Sequence, residues 1–281
     1  MRIAISNIAW DVSEDEQVVV QLNKYGIDAI DVAPGKYFHD PKNVSHGEIA
    51  RVREWWHKNG VEITGMQALL FGTTGLNLFG SQDTQTDMLE HLEAVCRIGA
   101  GLGAKKLVFG SPKNRDRSAL SNEEARDVAI RFFGQLGDIA SRYGVVICLE
   151  PNPPCYGANF MTNSADTASI VVAVNHPAIR MQLDTGALAI NGEDVARVIN
   201  EYAVLIGHVH ASEPDLVTLR EGLTDHASAG TQLSEHLPNQ VVAIEMLPAK
   251  LGTNIAAIER ALAVAIRHYR GHAVGVVGAA T

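Results

Sequence analysis

Eight short apolar segments recur along the 281-residue chain, at 3–6, 29–32, 62–68, 106–110, 145–150, 179–184, 205–210 and 241–246, usually separated by helical patterns. Strands that are apolar almost throughout, rather than at every second position, are covered on both faces, and crossover helices supply that cover in a parallel sheet. Ser13-x-x-Glu16 and Ser121-x-x-Glu124 read as capping boxes at helix starts. Tyr25-Gly26, Asn59-Gly60, Leu102-Gly103 and Tyr143-Gly144 read as helix ends, each just before a strand segment. An open doubly wound sheet shows the same alternation. The count of eight favours an α/β fold of the (β/α)8 TIM barrel type, and no Gly-x-Gly-x-x-Gly loop follows the first strand. The length suits one barrel domain at 1–270, with the glycine-rich 271–281 as a flexible tail. Between Ser212 and Asn239 the pattern predicts a loop and then one short helix from about Asp225.

Charge and cysteine content narrow the function. Lys plus Arg number 23 against 32 Asp plus Glu, a net charge of −9, which repels phosphate backbones and argues against nucleic acid. Cys96, Cys148 and Cys155 have no paired spacing, which suits reduced thiols. The N-terminal stretch meets acidic residues too early for a secretory leader, and no apolar run has the length of a membrane span. A cytoplasmic location is therefore expected, with no membrane partner.

Four polar residues share one topological position. Glu150 ends VVICLE, Asp184 ends IRMQLD, His210 ends IGHVH and Glu245 lies near the end of VVAIEM. The carboxyl ends of barrel strands converge on the mouth, where active sites of this fold are built. Three carboxylates gathered there repel one another and raise one another's pKa values. A divalent cation resolves that conflict, and oxygen donors with one imidazole suit Mn²⁺, Mg²⁺ or Co²⁺.

The pattern LEPN, LDTG, GHVHASE and AIEM on the last four strand segments, together with LEHLEAVCRIGAGLGAKKLVFGSP upstream, resembles the xylose-isomerase-like barrel superfamily. The nearest branch is that of the ketose 3-epimerases and hydroxypyruvate isomerases. The resemblance implies one divalent metal on Glu150, Asp184, His210 and Glu245, with Mn²⁺ ahead of Mg²⁺, Co²⁺ or Zn²⁺. It also implies that Glu150 and Glu245 are the catalytic acid/base pair of a metal-dependent isomerase or epimerase. The substrate would be a small carbohydrate or polyol, processed through an enediolate. An inosose-type dehydratase and a non-catalytic sugar-binding barrel are the alternatives, and a homo-oligomer is compatible with the family. Apurinic-site endonucleases share the barrel but use three zinc ions and further histidines, and ITGMQAL lacks the expected one.

The chain departs from the epimerase pattern at three substrate-contacting positions. Tyr156 stands where a glutamate is usual, Thr185-Gly186-Ala187-Leu188 lacks a histidine, and Leu216 replaces an arginine. Substrate-binding candidates are Trp10 and Phe71 as platforms for a sugar ring or as ordinary packing, and Gln67, Asn152, Tyr156, His208 and Glu213 as polar contacts. His208 projects to the same side as His210 and can support it from behind or serve as a core histidine. The basic loop 111–117 reads as a solvated segment pairing with Asp116, or as an anion contact. Asn163 and Ser164 read as a helix cap.

Overall fold

The expected helix ends set the rhythm of the chain. Gly26, Gly60, Gly103 and Gly144 all take positive φ, and at Gly103 (90°) and Gly144 (64°) the left-handed residue is itself the C-cap. A side chain is strained in that conformation, so glycine stops the helices ending at Leu102 and Tyr143 and turns the chain into the next strand. The computed structural model describes residues 1–118, 120–220 and 224–270. Its strands are β1 (Arg2–Ser6), β2 (Ala29–Val32), β3 (Glu62–Met66), β4 (Lys106–Phe109), β5 (Val146–Leu149), β6 (Ile179–Asp184), β7 (Ile206–Ser212) and β8 (Val241–Glu245). They pair in parallel in sequence order, and β1 closes on β8 with Ile5 opposite Ile244. The fold is a (β/α)8 TIM barrel, as the eight segments predict.

The outer ring consists of α1 (Asp15–Lys24), α2 (His46–Lys58), α3 (Gln82–Leu102), α4 (Asn122–Tyr143), α5 (Ser164–Val174), α6 (Thr185–Asn191), α7 (Val195–Tyr202), α8 (His226–His236) and α9 (Asn254–Tyr269). Each helix that packs on the barrel buries an apolar stripe, with Leu22, Trp56, Leu92, Phe133, Ile199, Leu233 and Leu262 all essentially inaccessible. Burying a side chain of that size contributes about 1.5–3 kcal/mol, so this layer dominates stability. The capping box at Ser121 and Glu124 forms as expected, as do the caps of Asn163 on α5 and Asp225 on α8.

Two local expectations fail. The box near α1 is made by Asp11 and Glu14, and the Ser13 side chain is spent on Asp11 instead. The segment 111–117 is not a solvated loop. It contains a 3-10 turn, Pro112–Arg115, in which Asn114 and Arg115 are buried. The tail 271–281 lies outside the described residues. Among those described, no helix is long and apolar enough to cross a membrane.

Candidate metal centre

The ends of β5 to β8 bring Glu150, Asp184, His210 and Glu245 together. Each offers one ligand atom, and the four atoms lie within 4.8 Å of one another. Strand register explains the convergence: Asp184 pairs with His210, and Ser212, two residues further along β7, pairs with Glu245. His210 Nδ1 sits 3.4 Å from Glu150 Oε1 and 3.3 Å from Glu245 Oε2.

Each carboxylate is held by neighbours of its own. Asp184 is the N-cap of α6, accepting from the Ala187 amide at 2.6 Å, and the Ser212 hydroxyl lies 2.8 Å from both of its oxygens. Glu245 Oε1 accepts from Gln67 Nε2 at 2.5 Å. Glu150 Oε2 accepts from Asn152 Nδ2 at 3.2 Å. Asn152 in turn accepts from Arg115 Nη2 at 2.5 Å, while Arg115 Nη1 donates to the Glu150 carbonyl at 2.7 Å. Gly110, just past β4, makes room for this carboxylate, since a Cβ there would lie 2.0 Å from Glu150 Oε2.

The electrostatics fit a cation. Burial, then the charges of Glu245 and Glu150, push Asp184 up to about 8. Burial opposes the charged form of His210, but Glu245 and Glu150 outweigh it and hold the imidazole well above its ordinary value. Burial likewise raises Glu245, yet the attraction of His210 leaves it below the usual carboxylate range. One carboxyl therefore keeps a proton, and a histidine carries charge, to offset a concentration of negative groups. Among the described residues, Glu150 Oε1 and His210 Nε2 are buried without a hydrogen-bond partner. A hard or borderline divalent ion accepting three carboxylates and one imidazole fits this donor set.

The remaining sequence candidates divide. Gln67 and Asn152 touch the ligand set directly. Tyr156 is partly exposed, and its hydroxyl accepts from the Asp215 amide at 2.7 Å, tying the loop after β5 to the loop after β7. His208 is buried and bonded to Asp31. Trp10 is buried, with its indole N–H on Asp15 at 2.7 Å and its ring edge-on to Trp56. Glu213 is also buried, and it accepts from the Arg220 amide and from the amide and hydroxyl of Thr224. Neither Trp10 nor Glu213 joins the four-residue group. Phe71 is 84% exposed at the tip of the loop after β3. Two residues around the site escaped sequence reading, Ser212 and Asp31, and Arg115 was read only as part of the basic segment 111–117. Asp31 had a visible signal, a lone acid inside the apolar strand AIDV.

Comparison with known proteins agrees with this architecture. The family model of the xylose isomerase-like TIM barrel matches residues 19–265. Over 122 residues, 40% of this chain, the sequence is 27% identical to a mannonate dehydratase of Rhizobium meliloti (strain 1021), and the match spans 30% of that relative's length. The crystal structure of D-psicose 3-epimerase in the presence of D-fructose superposes with a TM-score of 0.80 at 18% identity, covering 96% of this chain and all of that one. The IOLI protein with a binding zinc atom superposes with a TM-score of 0.73 at 19% identity, over 96% of this chain and 100% of that one. At such identities the two structures share the fold.

Proposed function

Because this chain belongs to the xylose isomerase-like TIM barrel family, we propose that it is a divalent-metal-dependent isomerase or epimerase acting on a sugar or sugar derivative. The observation that carries the reading is the convergence of Glu150, Asp184, His210 and Glu245 at the carboxyl ends of four consecutive strands. These four residues would hold the ion, with Mn²⁺ the first expectation and Mg²⁺, Co²⁺ or Zn²⁺ the others. When bound, the ion would polarise a substrate carbonyl and the adjacent hydroxyl oxygen.

The chain's own residues would do the rest. A hydrogen beside a carbonyl is weakly acidic, and a positioned carboxylate can remove it to leave an enediolate. Glu150 and Glu245 approach His210 Nδ1 from different strands, so they can address different sides of a substrate between them. One glutamate accepts the proton and the other returns it. Return to the opposite face of the same carbon inverts it, and return to the neighbouring carbon interconverts aldose and ketose. Gln67, Asn152 and Arg115 limit how the two carboxylates can turn, which keeps both aimed at the substrate. Gln67 and Asn152, which touch the ligand set, are candidates for substrate hydroxyl contacts, with Tyr156 on the loop after β5 a third. The epimerase named for D-psicose among the structural relatives supports a carbohydrate substrate.

Dehydration of a polyol ketone or sugar acid is the second reading, favoured by the partial likeness to mannonate dehydratase. It begins with the same proton removal. Product analysis by ¹³C NMR separates the two, using Mn²⁺-loaded protein and a panel of ketoses, ketose phosphates and inososes. An epimer or an aldose–ketose pair supports the isomerase, whereas an unsaturated or dicarbonyl product that has lost water favours the lyase. Absence of turnover across the panel, with the cation bound, would favour a barrel that only binds its sugar.

A further inference from the structure

The end of the barrel opposite the four-residue site carries a cavity that the proposed chemistry leaves unused. It has a volume of about 480 Å³ and lies where β1, β3, β4 and β8 begin, reaching inward to the buried His208. Small-molecule sites commonly occupy clefts of about 300–1,000 Å³. Barrel chemistry is built at the other end of the strands, so a cavity here suits binding rather than turnover.

Its walls are basic in a chain whose net charge is −9. Arg53 and His57 line it from α2, one helical turn apart, while Lys105 and Lys106 line it where the chain enters β4, and Arg2 from β1. Among the described residues, Glu62 is the one carboxylate on its wall, and Arg2 already engages it. Arg2 Nη1 lies 2.8 Å from Glu62 Oε2, and Arg2 Nε donates to Asp28 at 2.8 Å. Three cations remain. Among the described residues, no hydrogen bond or ion pair engages the side chains of Arg53, Lys105 or Lys106.

The fold holds these three around one space. Arg53 Nε lies 3.8 Å from where a Cβ on Gly103 would stand, which puts the guanidinium against the turn that leads from α3 to Lys105. The Lys105 amide donates to the Thr64 carbonyl at 3.0 Å, and Lys106 pairs with Gly65, so both lysines are fixed beside β3. Lys106 is partly buried. An ammonium withdrawn from water without a counterion is costly, and an anion in the cavity removes that cost.

We propose that this cavity binds a phosphate group, free or carried by a small metabolite, between Arg53, Lys105 and Lys106. A guanidinium offers a planar fork of donors and each ammonium a compact charge. That set matches a dianion with several acceptor oxygens better than a singly charged carboxylate. The site stands apart from the chemistry proposed at the mouth and does not depend on it.

The test uses the full chain, with a chelator present so that no cation at the mouth can hold the anion. Isothermal titration with inorganic phosphate and with glycerol 3-phosphate should show saturable binding of at least one of them, and glycerol should show none. Equal affinity for the two assigns the cavity to the phosphate group alone, and tighter binding of glycerol 3-phosphate assigns it to a phosphorylated metabolite. Arg53→Gln and Lys106→Met should each weaken binding by about tenfold or more, the scale of one hydrogen bond to a charged group. Lys113→Gln, at an exposed lysine beyond the opposite end of β4, should leave it unchanged. If Lys106→Met does not fold, Arg53→Gln carries the test, because Arg53 is exposed on α2. No saturable binding of either phosphate at millimolar concentration overturns the proposal, as does an affinity that stays near the wild-type value in either folded variant. Loss of binding in Lys113→Gln would put the anion at the mouth and overturn it too.

Discussion

Asp184 and Arg115 carry the least ordinary environments around the site, and each makes a measurable claim. An acid whose folded value lies above its free value holds its proton more tightly when folded. With Asp184 near 8 against an ordinary 3.8, the cation-free protein should lose stability from this group as pH rises from about 4 to about 8. The raised His210 acts in the same sense, because its stabilisation is complete below its ordinary value and is lost as pH climbs through the folded one. A bound divalent ion displaces those protons. The rise in Tm produced by saturating Mn²⁺ should therefore be larger at about pH 8 than at about pH 6, and a gain that shrinks with pH would contradict the proposed ligand set. Arg115 is pushed down to about 10 by burial, partly offset by Glu150, so it remains charged at neutral pH. Arg115→Met strands the Glu150 carbonyl and Asn152 Oδ1, each costing about 1–3 kcal/mol, while relieving a buried charge. Urea denaturation should show a net loss of about 2–4 kcal/mol, and no loss would mean that the guanidinium is not the anchor of this strand end. Strand-end acids are legible from sequence because their position follows an apolar run. The role of Arg115 was not, because a basic residue in a Pro-Lys-Asn-Arg turn looks the same whether it points to water or inward.

Elements place these residues through the ends of strands and the gaps between them. β4 supplies no ligand, yet Gly110 beyond it accommodates the Glu150 carboxylate. Gly110→Ala should leave Tm near that of the wild type and weaken Mn²⁺ binding at least about tenfold, because the added methyl displaces a carboxylate rather than a core side chain. Isothermal titration with Mn²⁺ checks this, and unchanged affinity would show that Glu150 can hold a cation from another rotamer. The strand and helix pattern could be read closely, since period and capping chemistry are local. The box at Ser121 forms because Ser121 and Glu124 bond each other's side chains and backbone amides at the helix start. The one expected at Ser13 does not, because Asp11, two residues earlier, competes for the Ser13 amide and hydroxyl. Glu213 illustrates the other limit. Its neighbours in sequence suggested a mouth residue, but its oxygens anchor the backbone near Thr224, a contact between positions 11 residues apart that no periodicity reveals.

At the scale of the molecule, the closed barrel converts eight separate strand ends into one mouth, and four of those ends carry the proposed chemistry. Three carboxylates gathered at the mouth would draw in a cation. What the sequence conceals at this scale is the substrate, because Tyr156 and Leu216 stand in the loops after β5 and β7, and loop side chains carry no periodicity that says what they face. The most direct measurement is therefore proton exchange in deuterated water, with Mn²⁺-loaded protein and a panel of ketoses, ketose phosphates and inososes. Deuterium should appear at one carbon beside a carbonyl of a single substrate class, and Glu245→Gln should abolish it while retaining part of the metal affinity. Exchange that persists in Glu245→Gln, or none in any compound despite Mn²⁺ held by Glu150, Asp184, His210 and Glu245, would contradict proton transfer at this site.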